Sequence, residues 1–128
     1  MNKLFKIPLL IIGFIFIIMG LRWIFVDEPW MLDRVANEER LNMTFEKLFS
    51  SEINETLPGY LKQIYRFFGL WVSIIGLFIV SFLREKFIKD SDIRKSLLIC
   101  TGLTVYLALI FAYIWIPSSP FIYLGLGS

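Results

Sequence analysis

Three apolar runs, Ile7–Val26, Phe67–Leu83 and Ser96–Ile116, carry a single charge between them, Arg22. This feature restricts the chain more than any other. A helix of roughly 17–25 apolar residues is what crosses about 30 Å of hydrocarbon. A soluble domain of this length would need a polar shell instead. The chain is 57% hydrophobic and 17% aromatic, with a mean hydropathy of +0.70, against about 45–50% apolar in soluble domains. Its charge, 19% of residues, is clustered rather than spread. The reading is an all-α integral membrane protein with three transmembrane helices, at about 7–26, 67–83 and 96–116. Residues 1–128 then form one membrane domain, with 27–66 as an external region.

Lys3 and Lys6 ahead of the first run suggest a secretory signal, but the run is longer than an ordinary signal core. No A-x-A-like cleavage site follows it. It reads as a helix that stays. Charge asymmetry sets the expected orientation. Lys3 and Lys6, with Arg84, Lys86, Lys89, Arg94 and Lys95 in the segment 84–95, place seven cations in two short stretches. Residues 27–66 carry five cations against eight acids. The positive-inside bias puts the amino end and the 84–95 loop in the cytoplasm, and the acidic region and carboxyl end outside.

Arg22 lies four residues before the end of its run, about 6 Å along a helix. An arginine there reaches the head-group region by snorkelling. Trp23 beside it is an expected interfacial aromatic, and Asp27 and Glu28 are near enough to pair with it. Arg22, Trp23 and Arg66 are therefore candidate contacts for a lipid or another anionic group, with simple anchoring as the alternative. In the acidic region, Met31, Leu32, Val35, Leu41, Phe45, Leu48 and Phe49 recur at roughly helical spacing. This predicts one external amphipathic helix over about 30–49, lying on the membrane face or on the bundle. SSEINETLPG breaks it, and Thr56 is placed to cap a helix that leads into the second span.

Small residues mark the helix faces. Gly13 and Gly20 lie in the first span. Gly69, Ser73 and Gly76 lie in the second, and Cys100, Thr104, Ala108 and Ala112 stand four apart in the third. Such residues let backbones approach closely where lipid supplies no hydrophobic drive. They are candidate faces for internal packing or for a partner. The tail PSSPFIYLGLGS is stopped by Pro117 and Pro120 and is too short to cross. It is expected at the outer interface, against the bundle or in a partner.

The chemical inventory is thin. The chain has no histidine and one cysteine, and it lacks a Gly-rich phosphate loop. N-x-[ST] matches occur at Asn42 and Asn54, but nothing else points to a eukaryotic secretory route. The spans hold no acid, histidine or lysine of the kind that ion-coupled carriers use, including the embedded glutamate of small multidrug transporters. No cofactor, metal, nucleic-acid or catalytic site is expected.

The segment LLIIGFIFIIMGLRWIFVDEPWML, with Gly20, Leu21, Arg22, Trp23, Asp27 and Pro29, resembles the opening of small bacterial inner-membrane proteins of the DoxX-like, four-helix type. The resemblance covers about 25 residues and lacks a counterpart for the fourth span. It implies a bacterial inner membrane and no particular chemistry. Two functions remain open. One is a non-catalytic accessory or assembly subunit beside other membrane subunits. The other is a stand-alone binder of lipid or another amphiphile through Arg22 and Arg66.

Overall fold

The computed structural model describes residues 2–115, which are helical with no strand among them. The long helices are α1 (Asn2–Phe25), α4 (Leu57–Phe82) and α6 (Ser91–Trp115). Between the first two lie a 3-10 turn (Pro29–Asp33), α2 (Arg34–Leu41), α3 (Phe45–Ser50) and a second 3-10 turn (Glu52–Asn54). The four-residue α5 (Glu85–Ile88) joins α4 to α6. Three stretches are long and apolar enough to cross a membrane: Lys3–Phe25, Glu52–Phe82 and Ser91–Ile114. The expected tail, 117–128, lies outside the described residues.

Helices α1 and α4 form an antiparallel pair, and the buried core sits at its basic end. There Leu9, Ile79, Leu83 and Ile88 are packed together, with Phe5, Phe16 and Leu97 against them. The 84–95 segment is more ordered than a loop. Arg94 Nη1 donates to the carbonyls of Ile88 at 2.7 Å and Lys89 at 3.2 Å. The Asp90 carboxylate accepts from the Asp92 and Ile93 amides at 2.8 and 3.4 Å, satisfying donors that a helix start leaves open. Lys6 pairs with Glu85 at 3.6 Å across the same corner.

The single amphipathic helix expected over 30–49 is not what forms. Asn42 takes the left-handed conformation at φ 58° and ends α2. Its amide and that of Met43 turn back to the carbonyls of Glu39 and Glu38, both at 3.3 Å. Thr44 then caps α3 by accepting from the Lys47 amide at 3.2 Å, and the Glu38 carboxylate accepts from the Phe45 amide at 2.8 Å. Of the apolar residues on the expected face, Phe45 is buried and Val35 is 69% exposed. The inward residues are Trp30, Asp33, Ala36 and Phe45, and the Trp30 ring meets Phe49 edge-on at 5.3 Å. Helix α4 does begin at Leu57, but Thr56 makes no side-chain cap bond.

Candidate functional site

The glycines of α1 and α4 face one another. Gly13 and Gly20 are seven residues apart, as are Gly69 and Gly76, so the antiparallel arrangement sets Gly13 opposite Gly76 and Gly20 opposite Gly69. A Cβ on Gly76 would lie 2.5 Å from the Gly13 carbonyl oxygen, and one on Gly69 would lie 2.5 Å from that of Gly20. A Cβ on Gly20 would strike Ser73 Oγ and the Gly69 carbonyl. Real side chains do not tolerate such separations, so hydrogen is the only substituent that fits. Ser73 Oγ lies between the two glycine pairs and donates to the Ile17 carbonyl at 3.5 Å. The small residues Gly69, Ser73 and Gly76 are thus occupied inside the chain.

At the acidic end, the three residues singled out from the sequence separate. Arg22 is exposed, and no ion pair among the described residues involves it. Trp23 is only 3% exposed. Its ring packs on Phe68 at 4.8 Å, and its Cβ lies beside Gly69. It is turned into the helix pair, where a head group cannot reach it. Arg66 is exposed and donates from Nε to the Ile24 carbonyl at 3.1 Å. It serves one of the four carbonyls that the end of α1 leaves without a helical partner. Arg66→Gln is expected to cost about 1 kcal/mol of local stability. Faster hydrogen exchange at the last turn of α1, with the rest of the chain unchanged, is the readout.

Next to this corner lies a polar cluster that the sequence reading missed. Asn37 Nδ2 lies 2.8 Å from Asp33 Oδ1, 2.8 Å from Tyr65 Oη and 3.1 Å from the Trp30 carbonyl. Tyr65 Oη also lies 3.5 Å from Asp33 Oδ1. Asp33 is 7% exposed, and burial raises its carboxyl above the ordinary value against the opposing pull of Asn37 and Tyr65. The cluster ties the 29–41 segment to α4. Asp33 and Asn37 stand one helical turn apart in the sequence, a readable pairing. Tyr65 lies 28 residues beyond Asn37, and only the fold brings it in.

Helix α6 differs from the other two. Among its described residues only Thr101 and Val105 are buried, and none from Tyr106 to Ile114 is. In the expected stripe, Cys100 and Ala108 are exposed, while Thr104 and Ala112 are half-buried. Thr104 Oγ1 donates to the Cys100 carbonyl at 2.7 Å. The stripe is therefore only partly covered, with Cys100 and Ala108 open. Among the described residues no group of three His, Cys, Asp or Glu side chains could hold a metal ion.

No family model matches the chain, and neither a curated protein nor a solved structure does. The class rests on the molecule alone: an all-helical chain with three helices long and apolar enough for a multi-pass membrane protein.

Proposed function

We propose that this chain is a non-catalytic accessory or assembly subunit of a larger membrane complex, with α6 as its docking helix. The observation that carries the reading is the contrast between the two sets of small residues. Those of α1 and α4 interlock so closely that a Cβ does not fit, whereas Cys100 and Ala108 lie on an exposed face. In lipid, small residues allow backbone approach and are of little use on a face that only touches acyl chains. The charge asymmetry supports an orientation with the amino end and 84–95 in the cytoplasm and 27–66 outside. The resemblance at Gly20–Pro29 supports a bacterial inner membrane as the setting.

The alternative of a lipid binder at the acidic end keeps Arg22, which is exposed, but Trp23 is buried and Arg66 is engaged with Ile24. The test is extraction from native membranes in mild detergent, followed by native-gel sizing and mass spectrometry. Migration with a stoichiometric set of larger subunits is expected. Ala108→Leu combined with Ala112→Leu should release the chain from that set, while Arg22→Gln should not. Migration alone with a retained lipid, lost on Arg22→Gln, would overturn the subunit reading.

A further inference from the structure

The corner between α4 and α6 carries cations that its own acids do not meet. Arg84 takes the extended conformation at φ −64° and ψ 146°, and α5 starts at the next residue. Leu83 before this break and Ile88 after it are buried in the core with Leu9 and Ile79. With these two pinned inward, Phe87 comes to rest on the outer face of α4. Its ring lies 5.2 Å from that of Phe82, which stacks on Phe78 at 6.3 Å. Phe78 and Phe82 are both exposed and stand one helical turn apart. The three rings form a column along a face that a spanning helix turns to acyl chains.

Two cations sit at the end of this column. Arg84 Cζ lies 5.0 Å from the Phe87 ring centroid, and Lys86 Nζ lies 5.9 Å from it. Arg84 Nε donates to the Ser81 carbonyl at 3.1 Å, which holds the guanidinium in place. Its two Nη nitrogens make no hydrogen bond among the described residues. The acids nearest in sequence are engaged elsewhere: Glu85 pairs with Lys6, and the Asp90 carboxylate accepts from the Asp92 and Ile93 amides. Neither Arg84 nor Lys86 makes an ion pair among the described residues. Like charges gathered at one ring repel, and an anion between them relieves the repulsion. A guanidinium fork suits a phosphate, and the adjoining rings suit hydrocarbon. Lys89 and Lys95 are exposed at the same end, but among the described residues neither lies over a ring.

We propose that the Arg84–Lys86 turn holds one anionic phospholipid from the leaflet at the basic end of the helices. Its phosphate lies between the Arg84 guanidinium and the Lys86 ammonium, and one acyl chain runs along Phe82 and Phe78. The proposal rests on the helices spanning a membrane and not on the subunit reading. It differs from an anion site at Arg22 and Arg66, which occupy the other end. A free phosphate would use the cations alone and leave the rings without a role.

The test uses the full chain, purified and exchanged into mixed micelles holding equal amounts of phosphatidylglycerol and phosphatidylcholine, with retained lipid counted by native mass spectrometry. One phosphatidylglycerol per chain is expected, in preference to phosphatidylcholine. Arg84→Gln and Lys86→Gln should each lower its retention about tenfold, the effect of losing one charge-assisted contact. Of the two, only Arg84 also bonds a backbone carbonyl, so Lys86→Gln separates loss of lipid from loss of fold. Phe82→Ala leaves every charge in place and should lower retention as well. Lys89→Gln and Lys95→Gln remove the same charge from the same end and should leave retention unchanged. Free glycerophosphate in excess should not displace the lipid, because it lacks an acyl chain. Unaltered retention in the Arg84, Lys86 or Phe82 variants, equal losses in the Lys89 and Lys95 variants, or displacement by glycerophosphate overturns the proposal. So does equal retention of both lipids by the parent chain, or a second copy of the chain bound in place of lipid. Release of the chain from membranes by alkaline carbonate would instead overturn the membrane reading beneath it, so the two failures are distinguishable.

Discussion

Gly20→Leu is expected to force α1 and α4 apart at the acidic end of their seam. A single Cβ at this position already strikes Ser73 Oγ and the Gly69 carbonyl, and it would lie 2.7 Å from the Ser73 amide nitrogen. Two of those obstacles are backbone, so no rotamer change relieves them. Overpacking a closed core costs about 1–3 kcal/mol and sometimes more. With backbone in the way, the upper end applies, so about 3 kcal/mol is expected, which shifts the equilibrium between closed and parted helices about 100-fold. Gly69→Leu should behave alike, because its Cβ meets the Gly20 carbonyl from the other side. Gly59→Ala is the control: it lies in α4 with nothing within 4 Å of its Cβ, and it should be neutral or slightly stabilising. Energy transfer between dyes on Leu21→Cys and Phe67→Cys, both exposed at the acidic end, in a Cys100→Ser background, reports the separation during titration with SDS. A midpoint for Gly20→Leu equal to that of the parent would show that the helices do not meet at this seam.

Asn37→Leu is expected to undock the acidic-end segment from α4. Asn37 is the closest donor to the buried Asp33 carboxylate, at 2.8 Å, and also reaches Tyr65 and the Trp30 carbonyl. Removing it leaves Asp33 with the Tyr65 hydroxyl at 3.5 Å. A buried polar group that loses its partner costs about 1–3 kcal/mol, and more when charged. Opening of residues 29–41 should rise by about 10- to 100-fold, read as amide exchange there against unchanged exchange in α1.

The same cluster has a defined response to pH. Burial raises the Asp33 carboxyl above its ordinary value, so the docked state binds the proton more tightly than the undocked one. Docking is therefore strongest below the ordinary carboxylate range. It weakens as the pH rises through the raised value. Asp33→Asn keeps the acceptor oxygen that Asn37 uses and has no proton to lose. That variant should stay docked and lose the pH dependence of exchange, after correction for intrinsic rates. Exchange that slows with rising pH in the parent would contradict this.

The legible parts of the molecule are those written in local pattern. The three long helices follow from apolar runs that only a helix can carry through a water-free layer, because each helix satisfies its own backbone. The break within 30–49 was also written locally, in Asn42 followed by Thr44. An asparagine tolerates the left-handed turn and a threonine caps what comes next. Hydrophobic spacing alone carries on through such a turn and does not mark it. The inward position of Asp33 is hidden from that pattern for a related reason. Periodicity assumes that the apolar residue faces inward, whereas here a carboxylate does, because Asn37 and Tyr65 are there to receive it.

By itself, the sequence determined that this chain is three long apolar helices with a basic and an acidic end, since each property belongs to a contiguous stretch of residues. It also named the small residues able to let helices touch. Only the tertiary structure decided which of them do. Gly13 and Gly20 close on Gly76 and Gly69, Trp23 turns inward, and Cys100 and Ala108 remain open. The reason is physical: a small side chain permits close approach from any neighbour, and which neighbour arrives depends on connections and packing over distances that no local pattern encodes.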